Sequence, residues 1–461
     1  MGLSLGAPTV VIPQLRREAN STDAVSDEMV SWLSSIFAYA GIPWVLVIPV
    51  VSDRVGRKYP FLVVCICSLL SNIVFYCSST STHLLIAEVM QGPLFASQIT
   101  IAIIIATEYT SPKYRGIFLT LKSASFNWGI WMSNALGTFF HWKSIGIFGI
   151  ICSIYITATT LFWCESPYWL ASKQRFEACA RSHRTMKGES KASENELEAL
   201  IKSYKHQNDD QKSCSKTHLF KKVYNTITMK VFYKPLLISL AVLSLYHFSG
   251  KLVYTTYAVD IIKKITLKES TAYIGMLFLD AVSVTGMYVG CVCSKFLKRR
   301  TLILAGSITG IIFLFIISLY LYLVKLSVIY ENKYVSIALL TIFSLSISCG
   351  PMIMSTSVYG ELVPLRYRSL AMFITGLHAL ILLGTTLKTA PYIFKTFKLH
   401  GTFLFYATLA SIVTYLVYKY LPETKDKTLK EIEDCIMGRT NEESLETKPL
   451  KKSVNEHRII E

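Results

Sequence analysis

Charge is scarce in this chain. Only 17% of its 461 residues are Asp, Glu, Lys or Arg, against about 25% in ordinary soluble domains. Acid is the scarcer sign, with 30 Asp and Glu facing 47 Lys and Arg, for a net charge of +17. With 52% hydrophobic residues and a mean hydropathy of +0.42, a soluble globular domain is excluded. Catalytic equipment is missing as well. No Gly-rich phosphate loop, nucleophile motif or metal-ligand spacing occurs, so neither an enzyme nor a metal site nor a cofactor is expected. There are 11 cysteines, but most fall inside apolar runs (Cys65, Cys67, Cys77, Cys152, Cys291, Cys293, Cys349). There they read as small buried hydrophobes and not as a disulfide framework.

What the chain does have is long apolar runs separated by short charged loops. Each run of about 20 residues can cross a ~30 Å hydrocarbon core as a helix, the form that satisfies its own backbone in lipid. The runs fall at 1–15, 29–51, 60–79, 83–107, 116–140, 144–164, 235–260, 270–293, 301–324, 334–358, 369–392 and 401–421. The expected class is therefore an all-α integral membrane protein of about 12 spans. The first run is short, as though truncated at its start. No basic region precedes it, so no cleavable signal peptide is expected.

The excess of positive charge is explained by topology, without nucleic acid. Arg54, Arg57, Lys58, Lys113, Arg115, Lys298, Arg299, Arg300, Arg366 and Arg368 all fall in or beside short loops on one side. By the positive-inside rule that side is cytoplasmic. Asn20-Ser21-Thr22 is a glycosylation sequon in the first loop, which this topology puts outside.

Four segments follow: a six-helix bundle over 1–164, a polar linker over 165–234, a second bundle over 235–421 and a tail over 422–461. Within the linker, Leu197, Leu200, Ile201 and Tyr204 recur at helical spacing. The tail keeps a helical pattern through Ile432 and Ile436. From about 438 it is polar and reads as disordered.

The two bundles carry matching marks. Glu108 to Arg115 and Glu361 to Arg368 each place Arg seven positions after Glu, with Tyr before the Arg, 253 positions apart. Glu165-Ser166-Pro167 and Pro422-Glu423-Thr424 end later runs with their glutamates 258 positions apart. Such offsets suggest a duplicated half, a common transporter design. In the tight loop Asp53-Arg54-Val55-Gly56-Arg57-Lys58, Gly56 supplies a residue that tolerates positive φ.

Taken in order, Asp53 to Lys58, Glu108 to Gly116, Glu165 to Leu170, Gly350-Pro351, Glu361 to Arg368 and Pro422 to Leu429 resemble the sugar porter family of the major facilitator superfamily. Within it, the likeness runs to insect facilitated trehalose and glucose transporters. The resemblance implies two six-helix bundles around a central cavity, alternating access, a plasma-membrane location and both termini in the cytoplasm. It also implies a gate. Asp53, Arg57, Glu108, Arg115, Glu165, Arg299 (or Arg300), Glu361 and Arg368 would form inner-face ion pairs that join the bundles when the pore opens outward.

The cavity departs from the family pattern. Tyr246, His247 and Leu252 stand where the resemblance implies amides, Ser123 stands for a fifth-span Gln, and Met354, Ala379 and Leu380 for tenth- and eleventh-span residues. Glu88 takes the place of an Arg. Asn134 does match a polar position. Ser4 aligns with the acid of proton-driven members and cannot carry a proton near neutral pH, which favours downhill transport. In place of the amides stand ionisable groups at mid-span depth: Lys251, Asp280, His247 and His378. A charge at that depth is costly unless it is paired or wet. Two readings are open for these residues, a polar binding site or relay and a structural ion pair with hydrogen-bonded histidines. Lys122 and Lys388, nearer span ends, are expected to snorkel. The candidate solute-binding set is thus Ser123, Asn134, Tyr246, His247, Lys251 and His378. The expected function is facilitated transport of a small polar solute, a sugar such as trehalose or a hexose. The same scaffold carrying a charged solute, and a non-transporting sensor, are the rival readings. The sequence does not indicate an oligomeric state.

Overall fold

The computed structural model describes residues 1–19, 25–110, 115–211, 225–266, 269–330, 332–362, 368–425, 432 and 435–437. The sequon at Asn20 lies outside the described residues. Among them there is helix and no strand.

Nine described helices are long and apolar enough to cross a membrane. One of these, Leu370–Tyr420, breaks at Lys398, where φ is 57°. The parts on either side each exceed the ~20 residues a crossing takes, so it supplies two spans. The first helix, Gly2–Glu18, and the fifth span, Arg115–Phe139, bring the order to the expected twelve. Hydropathy alone misses these two because one is short and the other carries Lys122, Asn127 and Asn134. They pack closely on each other. A Cβ on Gly6 would stand 2.9 Å from the Ile130 carbonyl, the close backbone approach that small residues permit between membrane helices. The sixth span, Lys143–Phe162, shows the opposite face of the design. Its Ile147, Ile151, Ile154 and Phe162 are exposed, as lipid-facing side chains would be.

Several spans are broken, and the breaks are buried. The fourth span, Ser81–Glu108, kinks at Thr100, whose φ and ψ are −109° and −94°. The seventh runs Lys230–Phe248, turns at Gly250 in the left-handed region with φ 73°, and resumes over Lys251–Thr256. The tenth, Lys333–Ser355, contains a π-turn over Ser348–Met352 around Pro351, which lacks the N–H that a regular turn needs. Irregular backbone at membrane depth is tolerated where protein covers it, and Thr100, Gly350 and Pro351 are all buried.

The linker forms three helices, Pro167–Ser172, Phe176–Lys187 and Lys191–Gln211. Leu197, Leu200, Ile201 and Tyr204 close on Trp169, Leu170 and Cys179 as one small core. The Trp169 indole N–H donates to the Asp53 carbonyl at 3.1 Å, tying this core to the loop after the second span. Ile432 is buried against the second half of the chain, with Ile436 packed beside it.

At the end of the molecule bearing Trp32, the two halves touch. Thr9 Oγ1 donates to the Thr256 carbonyl at 2.8 Å, and Ser31 Oγ to the Lys388 carbonyl at 2.7 Å. The Lys388 Nζ sits 3.6 Å from the centre of the Trp32 ring, where the ring quadrupole stabilises the charge.

Candidate functional site

A cavity of about 210 Å³ lies between the halves, toward the end bearing Arg57 and away from the Trp32 closure. Ser123 and Asn127 of the fifth span face Tyr246 and His247 of the seventh across it, with Thr375 and Ala379 of the eleventh completing the wall. Leu252, in the place of a family amide, also lines it. His247 is buried, and its Nδ1 has no hydrogen-bond partner among the described residues. Its ring stands beside that of Tyr246, centroids 5.3 Å apart.

Three of the six candidate binding residues, Ser123, Tyr246 and His247, therefore share one cavity. The other three do not line it. Asn134 donates through Nδ2 to Asp280 Oδ2 at 2.6 Å. Lys251 Nζ donates to Ser283 Oγ at 2.7 Å and Ser344 Oγ at 2.5 Å. His378 Nε2 is 2.8 Å from Ser244 Oγ. These contacts fit the structural reading of the ionisable groups better than the binding one. The turn at Gly250 redirects Lys251 from the cavity toward the eighth and tenth spans.

Lys122 is the residue that sequence reasoning misplaced. It does not snorkel. It lines the cavity, and its Nζ donates to the Gln98 carbonyl at 2.6 Å. The available signal was periodicity: Ser123 and Asn127 lie four apart on one polar face, with Lys122 adjoining.

The charged marks form two matching caps, one in each half. Glu165 accepts from the backbone N–H of Arg57 at 2.7 Å and of Lys58 at 3.3 Å. Glu423 does the same for Arg299 at 3.1 Å and Arg300 at 3.3 Å. Each carboxylate thus caps the N-terminus of a span, where orphan N–H groups and the helix dipole favour an anion. Gly56 has φ 114°, and the Glu165 carboxylate packs where a Cβ would stand.

Beside the first cap, Arg57 makes a two-pronged bond to Glu108, Nε to Oε2 at 3.1 Å and Nη2 to Oε1 at 3.0 Å, and a third to Asp53 at 2.9 Å. Burial opposes the guanidinium charge. The Glu108 and Asp53 carboxylates outweigh it, holding the pKa above the ordinary arginine value. These contacts all lie within one half. Arg115, Glu361 and Arg368 sit on described helices, but their side chains lie outside the described residues. Among the described residues, no group of three or more His, Cys, Asp or Glu could hold a metal ion.

Residues 5–435 match the family model described as sugar (and other) transporter. Over 90% of its length the chain is 23% identical to facilitated trehalose transporter Tret1 of Aedes aegypti, covering 50% of that protein. Over 90% it is 24% identical to the Polypedilum vanderplanki protein of the same name, covering 81% of it. The chain spans about half the length of the Aedes aegypti and Anopheles gambiae relatives it matches. In three dimensions it is similar to the inward open xylose transporter XylE from E. coli, with a TM-score of 0.72 at 13% identity over 94% of this chain and 96% of that one. The major facilitator superfamily proton:xylose symporter XylE bound to 6-bromo-6-deoxy-D-glucose gives 0.72 at 16% identity, with the same coverage. These likenesses give the chain the major facilitator fold that its ordered motifs implied.

Proposed function

Since this chain belongs to the sugar (and other) transporter family, we propose that it carries a small polar solute of the sugar class down its gradient by alternating access. It is a transporter and not an enzyme. The observation that carries this reading is the cavity between the halves, closed at the Trp32 end and walled by Ser123, Tyr246, His247 and Thr375. Hydroxyls, an amide and a ring nitrogen set among apolar side chains suit a hydroxylated solute. The curated relatives are named for trehalose, but at about 210 Å³ the cavity is smaller than the ~300 Å³ at which drug-sized pockets begin. A single sugar ring is the better fit. Ser4 in the first span supports uniport over proton coupling.

Division into bundles over 1–164 and 235–421, with a linker and tail on the cytoplasmic side of the plasma membrane, completes the proposal. So does the gate. In a state closed at the Trp32 end, Arg57, Glu108, Glu165, Arg299 and Glu423 are engaged within their own halves, where they would wait to pair across the seam.

The test is equilibrative counterflow with the full chain in proteoliposomes, preloaded with glucose, then with trehalose. Saturable exchange of either supports the reading. Folded protein that exchanges no solute, while still melting at a higher temperature in the presence of a sugar, would make the chain a sensor.

A further inference from the structure

Lys122 puts an ammonium on the cavity wall, and no described carboxylate stands beside it. Among the described residues, the side chains lining the cavity include this lysine and no carboxylate. Its Nζ donates to a neutral acceptor, the Gln98 carbonyl, and no described carboxylate lies close enough to act on it. Elsewhere, buried cations have company. Arg57 meets Glu108 at 3.0 Å, and Lys251 lies in the field of Asp280. Lys122 is half-buried, and an ammonium held partly out of water without a counter-charge is costly and is seldom kept for packing alone.

Other polar groups around the cavity indicate what the partner carries. Ser355 and Thr375 donate to carbonyls of their own helices, Met352 at 3.4 Å and Ala371 at 2.8 Å. Their oxygen lone pairs are thereby left as acceptors on the lining, suited to solute hydroxyl donors. His247 Nδ1, buried and without a described partner, offers one more polar contact.

We propose that the preferred solute is a sugar acid: a hydroxylated monocarboxylate of one-ring size, its carboxylate on Lys122 Nζ and its hydroxyls on Ser355 and Thr375. This rests on the transport reading above and narrows its substrate class.

The experiment is counterflow by the full chain in proteoliposomes with D-glucuronate, D-glucose and trehalose as probes, and with Lys122→Met alongside the native protein. Glucuronate should exchange saturably and in preference to glucose. In Lys122→Met, the ratio of glucuronate to glucose exchange should fall about tenfold, the scale of one charge-assisted hydrogen bond. If glucose or trehalose exchanges and glucuronate does not, the anion inference is overturned and the transport reading stands. If folded protein exchanges none of the three, both are overturned. The comparison of probes on the native protein decides the matter even where Lys122→Met fails to fold.

Discussion

Asn134 and Asp280 join the two halves of the chain through a buried 2.6 Å hydrogen bond from amide Nδ2 to carboxylate Oδ2. Asp280 is also within electrostatic reach of Lys251, whose ammonium is held by Ser283 and Ser344. This is a polar network spanning the fifth, seventh, eighth and tenth spans, and it stands apart from the cavity. Removing one charge should strand the other. Lys251→Met and Asp280→Asn are each expected to lower the melting temperature, and the double variant to lose less than their sum. The non-additivity should be about 0.5–3 kcal/mol, as for groups sharing one network. Additive losses would mean the two residues are independent. Loss of uptake per folded molecule in Lys251→Met would restore its role in binding.

Gly250 is expected to be intolerant of any side chain. Its φ of 73° is left-handed, and an added Cβ would stand 2.8 Å from Tyr406 Cγ and 3.0 Å from Tyr254 Cε2. The backbone term costs about 1–2 kcal/mol and overpacking about 1–3 kcal/mol more. Gly250→Ala should therefore fold poorly in detergent by thermal melting. A variant as stable as the native protein would show that the seventh span need not turn here.

How much of this was legible in the sequence depends on the range of the forces involved. Lys143–Phe162 reads as a span because burial in lipid is a property of the segment itself. The Glu165 and Glu423 echo was visible because a carboxylate capping a helix is a short motif with a fixed job. The destinations of Lys251 and Lys122 were not legible. Depth along a helix follows from counting residues, but direction around the bundle follows from which neighbour packs where. Ser283 and Ser344, which receive Lys251, lie 32 and 93 positions away. Lys122 reads as a span-end snorkeler because nothing local to it shows that the fourth span lays the Gln98 carbonyl beside it.

Arg57 and Glu108 give a prediction about geometry rather than charge. Both are largely buried, and the fork of Arg57 meets both carboxylate oxygens. Lysine keeps the charge and loses the fork. Arg57→Lys should lower stability by about 1.5–3 kcal/mol, the worth of a hydrogen bond to a charged group, measured by chemical denaturation. An unchanged midpoint would show that charge alone suffices.

The gate makes a separate prediction, since it concerns the balance of states. Neutralising Glu361 removes one proposed cross-seam partner, and a network at a seam biases two nearly equal conformations. In Glu361→Gln, single cysteines placed in the cavity should become more reactive from the Arg57 end and less from the Trp32 end. Equal reactivity with and without the substitution would remove Glu361 from the gate.

The linker core should respond to acid through His183. This side chain is buried among the linker helices, with Ser193 Oγ 3.4 Å from its Nδ1. Burial and then the Lys187 ammonium push its pKa below the usual 6.5, with Glu196 and Glu194 opposing. The folded linker therefore binds the proton less readily than the unfolded one. Its contribution to stability is complete above pH 6.5 and declines as pH falls through that value toward the lower folded pKa. Hydrogen exchange over 176–205 should accelerate between pH 7.5 and 5.5, after correction for the intrinsic rate. Substituting Gln at position 183, which cannot titrate, should flatten that dependence. The native protein showing no corrected change would mean that the ring stays neutral in both states across this range.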